Sequence, residues 1–100
     1  MDFSDGDFEW DENKRRINLG KHGIDFIRAR LIFDDEHHVI LRSPVEQPEM
    51  RFLAIGMLSE RLVTVVFTFR GSRIRLISAR RARIAERRAY EQRRHSPPGR

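Results

Sequence analysis

Arginine keeps its proton in a protein, so it cannot act as a base, yet its planar fork is well shaped to clamp a phosphate. Three arginines, Arg70, Arg73 and Arg75, stand around the dipeptide Gly71-Ser72. The residues before them alternate, with Val63, Val65, Phe67 and Phe69 set against Leu62, Thr64, Val66, Thr68 and Arg70. That is the period of two of a strand. It resumes as Ile74, Leu76 and Ser78 against Arg73, Arg75, Ile77 and Ala79. Glycine first in a two-residue connection suits a type II′ hairpin. The register this predicts sets Phe69 opposite Ile74 and Phe67 opposite Leu76 on an apolar face. On the other face Arg70 meets Arg73, and Thr68 meets Arg75. Like charges placed opposite one another are unfavourable, so the cluster calls for an anion. The reading is an RNA phosphate.

Cutting RNA without a metal means attack by the 2′-hydroxyl on the adjacent phosphorus. It needs a proton acceptor, cations for the charge that builds on phosphorus, and a proton donor for the departing 5′ oxygen. Arg70, Arg75 and Arg80 are the candidates for positioning the phosphate and stabilising the transition state. Arg73 is expected to bind flanking backbone, and Arg51 and Arg81 are expected to bind RNA. His22 has the ordinary pKa for acid–base work near neutral pH, and Glu49 is the alternative base. Lys21 can act as an electrostatic donor, while Thr68 and Ser78 offer hydroxyls. Trp10 is a possible stacking platform. Each has a plainer reading. A histidine beside a helix-ending glycine is more often a cap than a catalyst. Trp10 more often packs in a core, and Glu49 can simply neutralise Arg70 or Arg51.

These side chains need a scaffold. Phe8-Glu9-Trp10 reads as a brief edge strand. Asp11 is a good N-cap for a helix ENKRRINLGKH that Gly23 ends. Lys14, Asn18, Lys21 and His22 share one face of it. Asp25 caps a second helix, FIRARLIF, closed by Asp34-Asp35-Glu36. Strands follow over His37 to Arg42 and Arg51 to Leu58, separated by a loop holding Pro44 and Pro48. Ser59-Glu60 turns the second of these into the long strand. Arg80 to Arg94 reads as a helix with a stripe of Ala82, Ala85 and Ala89 and an exposed Tyr90. A two-residue turn at Ser59-Glu60 places Glu49, Arg70 and Arg73 in one row across three strands. The next rows are Arg51, Thr68 and Arg75, then an apolar floor of Leu53, Val66 and Ile77. A slip of one residue would turn Glu49 and Arg51 to the opposite face. The expected fold is α+β, with two N-terminal helices packed on a four-stranded antiparallel sheet and a C-terminal helix.

One hundred residues suit one domain. We expect an acidic, loosely ordered stretch over 1–7, the domain over 8–94 and a basic tail over 95–100. The absence of cysteine excludes disulfides and thiol chemistry. No apolar run reaches spanning length and no signal peptide precedes the acidic N-terminus, so the expectation is a cytoplasmic protein without membrane contact. The net charge of +5 is unevenly spread, because residues 70–100 hold 11 Arg against Glu86 and Glu91. That asymmetry points to a polyanion or an acidic partner. His37 and His38 beside Asp34, Asp35 and Glu36 lack the spacing of a ligand motif, so no metal and no cofactor is expected.

FEWDENK, NLGKHGIDF, FDD, RFLAIG and VVFTFRGSRIRLISARRARIAERRAYE, in that order over residues 8–92, resemble the BrnT toxins. The resemblance implies a ribonuclease toxin of a type II toxin–antitoxin pair with the RelE-like fold. It also implies a cognate ribbon-helix-helix antitoxin of the BrnA type, in a 2:2 complex that reaches DNA through the antitoxin alone. The chain departs from the pattern at Glu36, where a proline often stands, and at Arg28, where an acidic residue often does. The GMLSER turn is also shorter than in many members, and it bears on the register of Glu49 and Arg51. The competing reading is a non-catalytic RNA- or ribosome-binding module that uses the same basic face, since phosphate contacts alone give affinity.

Overall fold

A computed structural model describes residues 2–45 and 48–95, and of residues 2–5 the backbone only. In chain order the elements are β1 (Asp2–Asp5), β2 (Phe8–Asp11), α1 (Glu12–His22), α2 (Phe26–Ala29) and a 3₁₀ segment (Arg30–Asp34). They continue as β3 (Val39–Arg42), β4 (Phe52–Leu58), β5 (Arg61–Arg70), β6 (Arg73–Arg81) and α3 (Ile84–Arg94). Met1, Glu46, Gln47 and all of the expected tail except His95 lie outside the described residues.

The ends of α1 follow from its sequence. The Asp11 carboxylate accepts from the Asn13 and Lys14 amides, and Gly23 closes the helix at φ 71°, a left-handed angle that glycine adopts without a Cβ clash. Asp25 caps α2 in the same way, through the Ile27 amide. The second helix is shorter than expected and tightens into the 3₁₀ segment after Ala29. A three-residue repeat puts Phe26, Ala29 and Ile32 on one line, and all three are fully buried. This segment lies close on β4. A Cβ at Gly56 would stand 2.9 Å from the Ile32 carbonyl oxygen, so only glycine fits there.

The expected four-stranded antiparallel sheet is a six-stranded mixed one, ordered β1-β2-β6-β5-β4-β3. Its last four strands are antiparallel, as the alternation predicts. To them β2 is added in parallel along β6, pairing Phe8 with Ile74 and Glu9 with Arg75. Phe8-Glu9-Trp10 is therefore an inner strand. Asp2–Asp5 covers its other side as β1. Parallel pairing between segments more than sixty residues apart leaves no local turn signal to read.

The registers at both hairpins are those expected. Phe69 pairs with Ile74 and Arg70 with Arg73, while Leu53 pairs with Val66 across the Ser59-Glu60 turn. A bulge between Val66 and Phe67 then shifts β6 by one residue. Ser78, not Ile77, sits beside Val66, so the row expected as Leu53, Val66 and Ile77 is Leu53, Val66 and Ser78. Arg80 and Arg81 belong to β6, and α3 starts at Ile84. The strands expected from His37 and Arg51 start at Val39 and Phe52.

Two cores result. Trp10, Phe26, Ile32, Val65, Phe67 and Leu76 are among those that fill one face under α1, α2 and the 3₁₀ segment. Leu53, Ile55, Leu62 and Tyr90 pack the other face beneath α3. Each such aromatic or branched side chain contributes about 1.5–3 kcal/mol by leaving water. Tyr90, expected to be exposed, is 4% exposed and donates to Asp35 Oδ2 at 2.7 Å. Asp35 also accepts from the Met57 and His37 amides, so the end of the second helical segment, β4 and α3 meet at one carboxylate. Burial pushes the Tyr90 hydroxyl up to about 12, helped by that carboxylate. Burial also works to raise Asp35, but the three donors outweigh it and hold the carboxyl below its ordinary value. Among the described residues no helix is long and apolar enough to cross a membrane.

Candidate active site

The face beneath α3 also carries the arginines. Strand alternation in β2 sends Phe8 and Trp10 into the first core, and therefore sends Glu9 to the opposite side. There its Oε2 accepts from Arg75 Nη1 at 2.6 Å, and Arg70 Nη1 lies 4.0 Å from the same oxygen. Arg70 and Arg75 thus converge at the hairpin end of the sheet. Arg75 and Glu9 are mostly covered, while the Arg70 side chain is 56% exposed. Arg73 is exposed beside Arg70.

Arg80 lies elsewhere. It forms a two-point pair with Glu86, Nη1 to Oε1 and Nη2 to Oε2, each 2.8 Å. Glu86 Oε1 also accepts from Thr64 and from the Arg83 amide. Burial works to raise this carboxyl, yet the bonds from Arg80, Arg83 and Thr64 outweigh it and bring it to about 2. Five residues of strand, roughly 16 Å at the usual rise, separate Arg75 from Arg80. Arg81 is exposed, at the end of β6 away from the hairpin. The six arginines proposed from sequence do not form one cluster.

Between the two pairs lie two shallow clefts. One, of about 180 Å³, runs between α1 and β6 and is lined by Lys14, Lys21, His22, Ile77 and Ser78. Asn18 builds its wall. Its amide donates to the Ala79 and Ile24 carbonyls, and its oxygen accepts from the Ala79 amide. The side chain thereby pairs with β6 beyond the point where β2 stops. The second cleft, of about 230 Å³, is floored by Leu53 and Val66 and rimmed by Arg51, Arg80 and Arg83. Because Ser78 pairs with Val66, the clefts meet on one row of the sheet. The result is a basic surface from α1 across to α3.

Glu49 lies outside β4, 3.5 Å from Arg51 Nη2, and so does not complete the row with Arg70 and Arg73. Arg51 likewise precedes β4 and lines the second cleft, with its Nε buried and without a hydrogen-bond partner among the described residues. Thr68 is buried and donates to the Met50 carbonyl at 2.7 Å, which leaves it no hydroxyl proton for RNA. Trp10, fully buried and edge-on to Phe26, is core and offers no stacking surface. Glu9 and Glu86 were missed as the groups that hold the arginines. For Glu9 the signal was present, since its place between Phe8 and Trp10 fixes its side of the sheet.

No curated protein matches the chain. A family model described as "Ribonuclease toxin, BrnT, of type II toxin-antitoxin system" matches residues 10–86. That span starts at Trp10 and ends at Glu86, taking in α1, the whole arginine hairpin and the carboxylate that holds Arg80. The description favours an enzyme over a non-catalytic binding module. The chain belongs to the BrnT family of ribonuclease toxins of type II toxin–antitoxin systems.

Proposed function

We propose that the chain, through a RelE-like domain over residues 8–94, cleaves RNA in the cytoplasm without a metal, by attack of the 2′-hydroxyl on the adjacent phosphorus. The observation that carries this reading is the convergence of Arg70 and Arg75 on one carboxylate oxygen. Guanidinium groups close enough to share a carboxylate are close enough to share a phosphate, and their fixed charge can do what a bound cation does elsewhere. Arg73 meets the neighbouring backbone. Lys21 and His22, in the cleft about two to three residues along β6, take the following nucleotide or protonate the leaving oxygen. Arg51, Arg80 and Arg81 add long-range attraction, with Arg80 chiefly structural.

The test is purified protein and total RNA in EDTA. Fragments ending in a 2′,3′-cyclic phosphate and a 5′-hydroxyl are expected. Cleavage that appears only when magnesium is supplied would overturn the metal-free reading. As a type II toxin it has a cognate antitoxin, which we take to be a BrnA-like ribbon-helix-helix protein in a 2:2 complex, with DNA bound through the antitoxin alone. Coexpression with such a neighbouring gene product should restore growth, and a complex of another stoichiometry by light scattering would revise that proposal.

A further inference from the structure

Resting on the clamp just described, we propose that Glu9 is the general base of the cleavage, taking the 2′-hydroxyl proton on the carboxylate oxygen that its arginine partners leave open. The strand pattern sends Glu9 to the arginine face, and pairing with β6 sets it beside Arg75. Both arginines approach Oε2, while Oε1 accepts no hydrogen bond among the described residues. Glu86, which serves structure, has both oxygens engaged. Arg75 on β6 and Arg70 on β5 are the charged groups within 4.0 Å of Glu9 among the described residues.

A phosphate drawn into the same pair of guanidiniums lies against this carboxylate, and the 2′-hydroxyl of its own ribose lies next to the phosphorus it attacks. In the step, the 2′ proton passes to Glu9 Oε1, the O2′–P bond forms and the P–O5′ bond breaks. The departing 5′ oxygen takes a proton from the Lys21–His22 cleft or from solvent, and Glu9 releases its own to solvent, so no water is consumed. The base candidates read from the sequence have other surroundings. Glu49 is held by Arg51, and His22 lies in the α1 cleft.

The test uses the full chain, an RNA oligonucleotide that the wild type cleaves, and its all-deoxy counterpart as an uncleavable ligand. Glu9→Gln keeps an acceptor for Arg75 but removes the base. It should lower kcat by about a hundredfold or more and leave KM and deoxy-oligonucleotide binding within about threefold. Added formate should restore part of the rate of Glu9→Ala. Should both variants fail to fold, the wild type in D2O still decides, because a kcat unchanged by deuterium overturns proton transfer to a base in the step. Activity of Glu9→Gln within threefold of wild type overturns it too, as does a loss confined to KM. Absence of any cleavage by the folded wild type would overturn the clamp reading as well, which separates the two failures.

Discussion

Two arginine–glutamate pairs occupy the same sheet face, and they are built differently. Arg80 and Glu86 meet through both nitrogens and both oxygens, with Thr64 and the Arg83 amide filling the remaining sites. Their side chains are 14% and 9% exposed. Arg75 and Glu9 are about as covered, yet Glu9 bonds through one oxygen and a second, exposed arginine leans toward it. A pair with every site filled has nothing left to offer a ligand. Glu9, by contrast, keeps Oε1 without a hydrogen bond among the described residues. The two glutamates look alike in the sequence, and only their hydrogen-bond saturation separates scaffold from site.

That contrast can be broken first at Arg80. Arg80→Ala leaves a buried carboxylate unpaired and should cost about 3–5 kcal/mol of stability in urea unfolding. A cost under 1 kcal/mol would show the pair to be dispensable. Acid provides the next largest effect. Glu86 falls from its ordinary 4.5 to about 2 in the folded chain, so its contribution is complete above 4.5 and lost as pH drops toward 2. The total is on the order of 3 kcal/mol, and Glu86→Gln should flatten the corresponding part of a stability–pH curve. Arg70→Ala is the opposite experiment. Cleavage should drop about a hundredfold, on the order of 2.7 kcal/mol in the barrier, with the melting temperature nearly unchanged because the side chain is half in solvent. A fall in melting temperature without loss of activity would reverse the roles of the two pairs. Tyr90→Phe is expected to be milder, at about 1–2 kcal/mol for one donor lost from Asp35. With the hydroxyl raised to about 12, the wild type should also lose stability as pH climbs from 10 to 12, and the variant should not.

Much of this architecture is legible in the chain. Asp11, Gly23 and Asp25 mark helix ends by local chemistry, which needs no tertiary partner. Alternation about Gly71-Ser72 and Ser59-Glu60 gives the two hairpin registers, because a two-residue turn fixes pairing from its own end outward. The register stays readable only as far as the bulge at Val66, where one extra residue exchanges Ile77 for Ser78. Arg80 and Arg81 read equally well as the start of a helix, since a strand's last residues and a helix's first turn share composition. Arg75 and Arg70 were named for the site from the hairpin alone, whereas Trp10 is buried in the core, Thr68 bonds to the Met50 carbonyl and Arg80 to Glu86.

By itself the sequence determined the local conformations, the apolar and basic faces of the β5–β6 ribbon, and the family resemblance. Tertiary structure decided that β2 lies parallel to β6, that α3 crosses the arginine face, and hence which carboxylate meets which guanidinium. Turns and caps are set by neighbours in the chain, whose spacing is written in the sequence. Contacts such as Glu9 to Arg75 depend on how distant segments share the burial of apolar surface, and that sharing is settled only when the whole domain packs.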